Sequence, residues 1–269
     1  MSTSAPPPST QKPAAAKPAH ADKFDQEKLL ETIKTLQFAW FVGHFVTLIS
    51  VFYYTLTYIR IFPSTYKLWY VTALLGVIES FGILVYQLVQ KNGFNVGLLL
   101  KDDNTHYFLY GLLFLWMRPY VLLTLFPFAL FSLFHVLVYV KGYILPIFRL
   151  ENSPISEHIG NFVSKSNTKS IQLASGLEIV TYVWLFFRML AFRKRSLSPF
   201  LAYTVFIKKR FETSVYTRDF FKQIEVHIDT NVNKIGHPTL KNVWVQVKDV
   251  FRKIGGFYLV NDYTKEKVN

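Results

Sequence analysis

The 269-residue chain has no cysteine. Disulfides, thiolate metal ligands and cysteine nucleophiles are therefore excluded, and cysteine usage says nothing about redox compartment. Acidic residues are scarce, with 17 Asp and Glu against 30 Lys and Arg. No Asn-x-Ser/Thr sequon occurs, which fits a chain with little lumenal exposure. The seven histidines fall in no His-x-x-x-His or comparable ligand spacing, and there is no Gly-rich phosphate loop. Residues 1–22 are Pro, Ala, Thr and Lys-rich with no apolar stretch, so they do not read as a signal peptide. They read instead as a disordered lead, and the first apolar run is expected to direct insertion.

What the chain has in abundance is apolar length. Hydrophobic residues make up 51% and aromatics 17%, including 26 Phe and 16 Tyr. Phe38–Ile59 holds one ionisable side chain, His44, and Leu68–Gln90 holds one, Glu79. Tyr107–Phe126 holds Arg118, and Phe128–Phe148 holds His135 and Lys141. A hydrocarbon core about 30 Å thick takes about 20 helical residues at about 1.5 Å each, and each run meets that length. The fold class predicted is all-α, a polytopic helical membrane protein with two transmembrane hairpins and amphipathic C-terminal helices. In such a protein the basic excess reads first as orientation and contact with anionic lipid, and only second as nucleic acid.

The spans pair by their connectors. Ile61–Lys67 is short and contains Pro63, so the first two runs form a hairpin. One straight helix over Tyr107–Val140 would be about 50 Å long, well beyond the bilayer core. A second hairpin turning near Pro127 fits better, because proline removes a backbone donor and clashes with the preceding turn. Residues 1–35 then form a polar lead with a short surface helix at its end. Residues 36–192 form the membrane domain, with spans near 38–61, 68–90, 107–126 and 128–148. Residues 193–269 form a basic cytosolic tail. Segment 171–192 is either interfacial or an extra span. Glu178 and Arg188 inside it each cost about 2.5–3.5 kcal/mol on insertion scales, which favours the interface. Both termini are expected to be cytosolic.

The tail carries the most legible functional pattern. Phe221, Ile224, Ile228 and Val232 recur at helical steps. After His237-Pro238 the stripe resumes as Leu240, Val243, Trp244, Val247, Val250, Phe251 and Ile254, ended by Gly255-Gly256. Lys241, Lys248, Arg252 and Lys253 sit mainly off that stripe. Basic residues beside an apolar stripe with Trp and Phe suit a helix lying in anionic headgroups. Packing on the protein's own helices or on a partner is the competing reading. Arg193-Lys194-Arg195 and Lys208-Lys209-Arg210 read as lipid-facing clusters or as sites for a nuclear import receptor.

The run His106 to Tyr110, then Pro119, Phe126-Pro127, Leu130 to His135 and Tyr139, resembles the transmembrane protein 33 family, which includes fungal pore-membrane nucleoporins. Ser196 to Phe200 with Tyr203, and the Tyr216 to Ile228 region, are also similar. The resemblance covers roughly residues 36–255, and the lead and Tyr143–Ser170 match poorly. It implies a multispanning protein of the endoplasmic reticulum membrane and nuclear envelope, non-catalytic and without cofactor. The role it implies is organising curved tubular membrane and nuclear pore distribution or assembly. The partners it implies are nuclear pore or reticulon-like membrane-shaping proteins, besides the lipid bilayer.

A small transporter or channel, or a membrane adaptor, is the alternative. Glu79, Arg118, Lys141, Glu178 and Arg188 near spans would be its clues, but no internal repeat accompanies them. His44 and His135 read as side chains satisfied by neighbouring helices, and Asp102-Asp103 as a solvated helix start. No enzyme activity, metal or nucleic-acid partner is expected.

Overall fold

A computed structural model describes residues 24–260, so the first part of the expected disordered lead lies outside the described residues. Among the described residues every regular element is helical. α1 (Gln26–Ile33) is capped by Asp25, and α2 (Leu36–Tyr58) by Thr35, whose hydroxyl accepts from Phe38 N–H at 3.1 Å. α3 (Tyr66–Asn92) follows a turn opened by Pro63. The short α4 (Val96–Lys101) leads to α5 (Asp103–Met117), which is capped by Asp102 through Thr105 N–H at 2.7 Å. α6 (Phe126–Tyr139) runs through a π turn (Val140–Ile144) into α7 (Leu145–Ile147). Pro146 lacks the N–H that an unbroken α-helix would return to Gly142, and the widened turn accommodates this. α8 (Pro154–Leu190), α9 (Leu197–Thr213), α10 (Val215–Ile235) and α11 (Pro238–Gly256) complete the chain.

Six of these helices close a ring. Neighbours run α2, α3, α5, α9, α8, α6 and back to α2. The α2–α3 hairpin is tight because two glycines face each other. A Cβ on Gly76 would lie 2.6 Å from Gly43 O, and one on Gly43 would lie 2.9 Å from Gly76 O. Small residues permit this backbone approach, and association in lipid relies on such packing. Thr47 and Ser80 donate to Gly43 O and Gly76 O at 2.9 and 2.8 Å, so neither hydroxyl is orphaned in the apolar interior. The middle of the ring is filled by aromatic side chains. Phe81, Tyr107 and Phe128 have centroids 5.3–5.9 Å apart, and Tyr110 stacks on Phe206 at 5.0 Å.

The elements differ in detail from the sequence expectation. Four helical stretches have the length and hydropathy to cross a membrane: Leu36–Tyr58, Pro63–Asn92, Phe126–Ile147 and Pro154–Leu190. The 107–126 segment instead gives α5, 15 residues and so about 22 Å long, followed by a loop. The reversal falls at residues 118–125, where Arg118 and Tyr120 adopt positive φ of 48° and 53°. Pro127 does not mark its apex. It stands in the first turn of α6, where a missing N–H costs nothing. Segment 171–192 is largely the C-terminal half of α8, packed between α6 and α9.

α5 and α9 are shorter than a bilayer core, and they pack beside the longer α3 and α8. Their outward faces are apolar: Leu109, Leu112 and Leu113 on α5, and Leu197, Leu201 and Val205 on α9, are all exposed. Their inward faces supply Tyr107, Tyr110, Phe114, Tyr203, Phe206 and Ile207 to the core.

Candidate membrane and partner surfaces

α9 spaces the two basic clusters apart. Arg193-Lys194-Arg195 lies at its start, beside the 118–125 loop, where Arg195 Nη1 donates to Arg118 O at 3.5 Å. Lys208-Lys209-Arg210 lies at its end, beside the start of α5. The sequence reading put both clusters beyond the last apolar segment on one side. In the structure the apolar α9 stands between them, and they occupy opposite ends of the bundle.

Arg210 is not turned to lipid or to a receptor. Its side chain is only 5% exposed, and it donates to Asp103 Oδ2 at 2.7 Å and Glu178 Oε2 at 3.2 Å. Tyr107 OH donates to Glu178 Oε1 at 2.6 Å, and Thr213 Oγ1 donates to Asp103 Oδ1 at 2.9 Å. This node joins α5, α8 and α9. It also removes the main objection to placing 171–192 among the apolar helices, because the Glu178 charge meets a cation 32 positions later. Of the adjacent carboxylates, Asp102 is the expected helix cap, whereas Asp103 is an ion-pair partner. Lys208 and Lys209 approach Glu212 at 3.1 and 3.9 Å.

The two amphipathic stripes have different fates. On α10, Phe221 packs against Phe211 with centroids 5.6 Å apart, Val232 is buried and Ile228 is half-buried, while Ile224 stays exposed. Phe220 of the same helix covers Gly176 of α8. On α11, Leu240, Val243, Val250, Phe251 and Ile254 are exposed, and Trp244 and Val247 are half-buried.

α11 is held by its flank. Asp229 of α10 accepts from Trp244 Nε1 at 2.6 Å and from Lys248 Nζ at 2.8 Å. Arg252 approaches Glu225 at 3.6 Å. Trp244, Lys248 and Arg252 follow at four-residue steps, so they form one edge of the helix beside the apolar stripe. The hydrogen bonds from Lys248 and Trp244 hold the Asp229 carboxyl below its ordinary range. Past α11 the chain turns back onto α9, and the Glu212 carboxylate accepts from Leu259 N–H at 2.8 Å and Val260 N–H at 3.0 Å. Lys241 and Lys253 remain exposed.

His44 and His135 face each other with ring centroids 4.7 Å apart, and Trp40 lies against both. His44 Nδ1 lies 2.9 Å from Ser132 Oγ, so its partner comes from α6. Sequence reasoning missed the Asp103–Glu178–Arg210 node, and a pairing across such separations leaves no local spacing signal. Among the described residues no group of three His, Asp or Glu side chains stands in metal-binding proximity.

Comparison with known proteins extends over nearly the whole chain. Nucleoporin POM33 of Chaetomium thermophilum is 31% identical over 278 residues, covering 93% of this chain and 96% of that protein. The pore membrane protein of 33 kDa of Saccharomyces cerevisiae is 33% identical, covering 81% and 82%. Tetra-spanning protein 1 of Schizosaccharomyces pombe is 29% identical, covering 86% and 88%. No solved structure matches. The family described as Transmembrane protein 33/Nucleoporin POM33 matches residues 19–254, and the chain, an all-α polytopic membrane protein, belongs to that family.

Proposed function

We propose that this protein is a non-catalytic component of the endoplasmic reticulum membrane and nuclear envelope, including the nuclear pore membrane. In this reading it organises curved membrane and contributes to nuclear pore distribution or assembly. The names of its relatives, a nucleoporin and a pore membrane protein, support the pore setting. The observation that carries the mechanism is the outward apolar stripe of α11. Its flank is engaged by Asp229 and Glu225, yet Val243, Val250, Phe251 and Ile254 stay exposed beside Lys241 and Lys253. A helix so presented lies in the headgroup region, and insertion there widens one leaflet relative to the other. Anionic lipid strengthens the contact by about 1 kcal/mol per nearby cation. α10, whose stripe is largely packed, acts as the arm that holds α11 against the bundle.

The aromatic filling of the helix ring counts against the transporter reading, because Phe81, Tyr107, Phe128 and Phe206 occupy the space that a polar path would need. Both termini, α10 and α11 are taken as cytosolic, where pore or reticulon-like proteins would reach them.

The test is the full chain carrying Val243→Asp and Phe251→Asp, fluorescently tagged at native expression level. The expected result is a punctate nuclear rim that becomes diffuse reticulum, with loss of preference for small over large vesicles by the purified protein. An unchanged rim and an unchanged vesicle preference would remove α11 from the mechanism.

A further inference from the structure

The end of the bundle opposite α11 is built from three short loops that the sequence keeps far apart. Tyr58 OH donates to Tyr120 O at 3.1 Å and accepts from Leu122 N–H at 3.1 Å, which ties the end of α2 to the 118–125 loop. Arg188 Nη2 donates to Pro119 O at 3.4 Å and Lys194 O at 3.2 Å, and Arg195 Nη1 donates to Arg118 O at 3.5 Å. These contacts gather Arg60, Arg118, Arg188, Arg193, Lys194 and Arg195 at one end.

Among the described residues no ion pair to a carboxylate is formed by these cations. Residues 55–70, 112–126 and 184–200 contain no Asp or Glu. Backbone carbonyls accept from Arg188 and Arg195, and the Arg195 guanidinium also lies over the Tyr120 ring at 5.8 Å, so neither cation meets an opposite formal charge in these contacts. Arg60, Arg118, Arg193 and Lys194 are exposed. The backbone reverses sharply here, with positive φ at Arg60, Phe62, Arg118, Tyr120, Phe192 and Arg195. Non-glycine residues hold that conformation only where the surrounding structure imposes it. The loops are therefore fixed platforms for their cations.

Apolar side chains stand beside this charge. Phe62 is 64% exposed, Trp116 78% and Phe192 95%. Aromatic side chains and snorkelling cations together mark the headgroup level of a membrane. A freely soluble anion would be recognised by the charge and would make no use of the rim. A phospholipid uses both, with phosphate on the guanidinium and ammonium groups and acyl chains along the rim.

We propose that this end is a binding surface for anionic phospholipid headgroups of the leaflet it meets, with phosphate as the recognised group. The surface is separate from α11, so the bundle grips lipid at both ends.

The test uses the detergent-solubilised full chain, delipidated and titrated with phosphatidylinositol or phosphatidylcholine, with bound lipid counted by native mass spectrometry. The wild type is expected to retain phosphatidylinositol preferentially. The variant Arg60→Gln/Arg193→Gln/Lys194→Gln is expected to lose about fivefold in apparent affinity per cation, the change that about 1 kcal/mol each gives. Arg60→Lys/Arg193→Lys/Lys194→Arg is expected to keep it, and so is Lys241→Gln/Lys253→Gln on α11. A melting curve of the glutamine variant within a few degrees of wild type separates lost binding from lost fold. Equal retention of the two lipids, or an unchanged glutamine variant, overturns the proposal. Displacement of the lipid by millimolar inorganic phosphate overturns the lipid assignment in favour of a soluble phosphate ligand.

Discussion

Replacing Arg210 with methionine keeps an unbranched apolar stem and removes the cation that Glu178 faces. Glu178 is about 1% exposed and holds two partners, Tyr107 OH at 2.6 Å and Arg210 Nε at 3.2 Å. Without Arg210 the carboxylate keeps one neutral donor and no opposite charge at this node apart from what solvent can provide. Removing one member of a buried pair costs about 3–5 kcal/mol, mostly through the charge left behind. Asp103 is 45% exposed, so losing its contact with Arg210 adds no more than about 1 kcal/mol. If the cost comes from the stranded charge, Glu178→Gln in the same chain relieves it. Glutamine still accepts from Tyr107 and carries nothing to neutralise.

The assay is thermal unfolding of the purified protein in one detergent, followed by tryptophan fluorescence at a fixed scan rate. For a domain of this size about 1 kcal/mol shifts the midpoint by about 2–4 °C, so Arg210→Met is expected to melt about 10 °C below wild type. The double variant Glu178→Gln/Arg210→Met is expected to recover at least about half of that loss. A single variant that melts with wild type would falsify the node as a stabilising contact. A double variant that melts at the sum of the two single losses would show that the charges are not coupled.

Gly76→Val is expected to separate the α2–α3 hairpin, because even a Cβ there would lie 2.6 Å from Gly43 O. A loss of several degrees in the same melt, or failure to recover a monodisperse protein, is the expected outcome, and normal behaviour would count against the close approach. The clasp between α10 and α11 is expected to depend on pH. The folded Asp229 carboxyl lies below its ordinary 3.8, so the clasp is fully present above that value and is lost as pH falls through the depressed one. The 19F resonance of fluorotryptophan at position 244 is expected to move across that acid range, and Asp229→Asn is expected to hold it at one position near neutral pH and below. Glu212→Gln is expected to raise amide hydrogen exchange at Leu259 and Val260, whose N–H groups it receives in the wild type, while leaving the α2–α3 amides protected.

The apolar runs over α2, α3 and α6 were legible because a membrane span announces itself locally, by length and lack of charge. The α10 and α11 stripes were legible for the same reason, since their spacing is a property of one helix. Segment 171–192 is not legible locally, because its charges find their partners only in the fold. Glu178 is costly alone and tolerable beside Arg210, and only the fold brings those two together. Arg188 reads as an intramembrane charge in sequence, yet it reaches the Pro119 and Lys194 carbonyls at the end of its helix. Pro127 misled in a different way. Proline marks a helix start as readily as a turn, and here the turn had already been made by Arg118 and Tyr120 in the left-handed region.

The same separation in sequence bears on how the basic charge is divided. Read along the chain, Arg193-Lys194-Arg195 and Lys208-Lys209-Arg210 look like one cationic segment beside a membrane. Residues 197–207 of α9 separate them by about 17 Å, roughly half of the bilayer core. The first cluster joins Arg60 and Arg118 at an end where, among the described residues, no carboxylate pairs with them, whereas the second is largely neutralised by Asp103, Glu178 and Glu212. Net charge therefore misstates what each face offers to lipid. The cations available beside α11 are those of α11 itself, chiefly Lys241 and Lys253. The cations available at the opposite end are those of the three loops. On the proposed reading, the protein holds phosphate at one face and inserts an apolar stripe at the other, so that it is anchored in both leaflets and expands only one. A symmetric span lacks that asymmetry, and bending requires it.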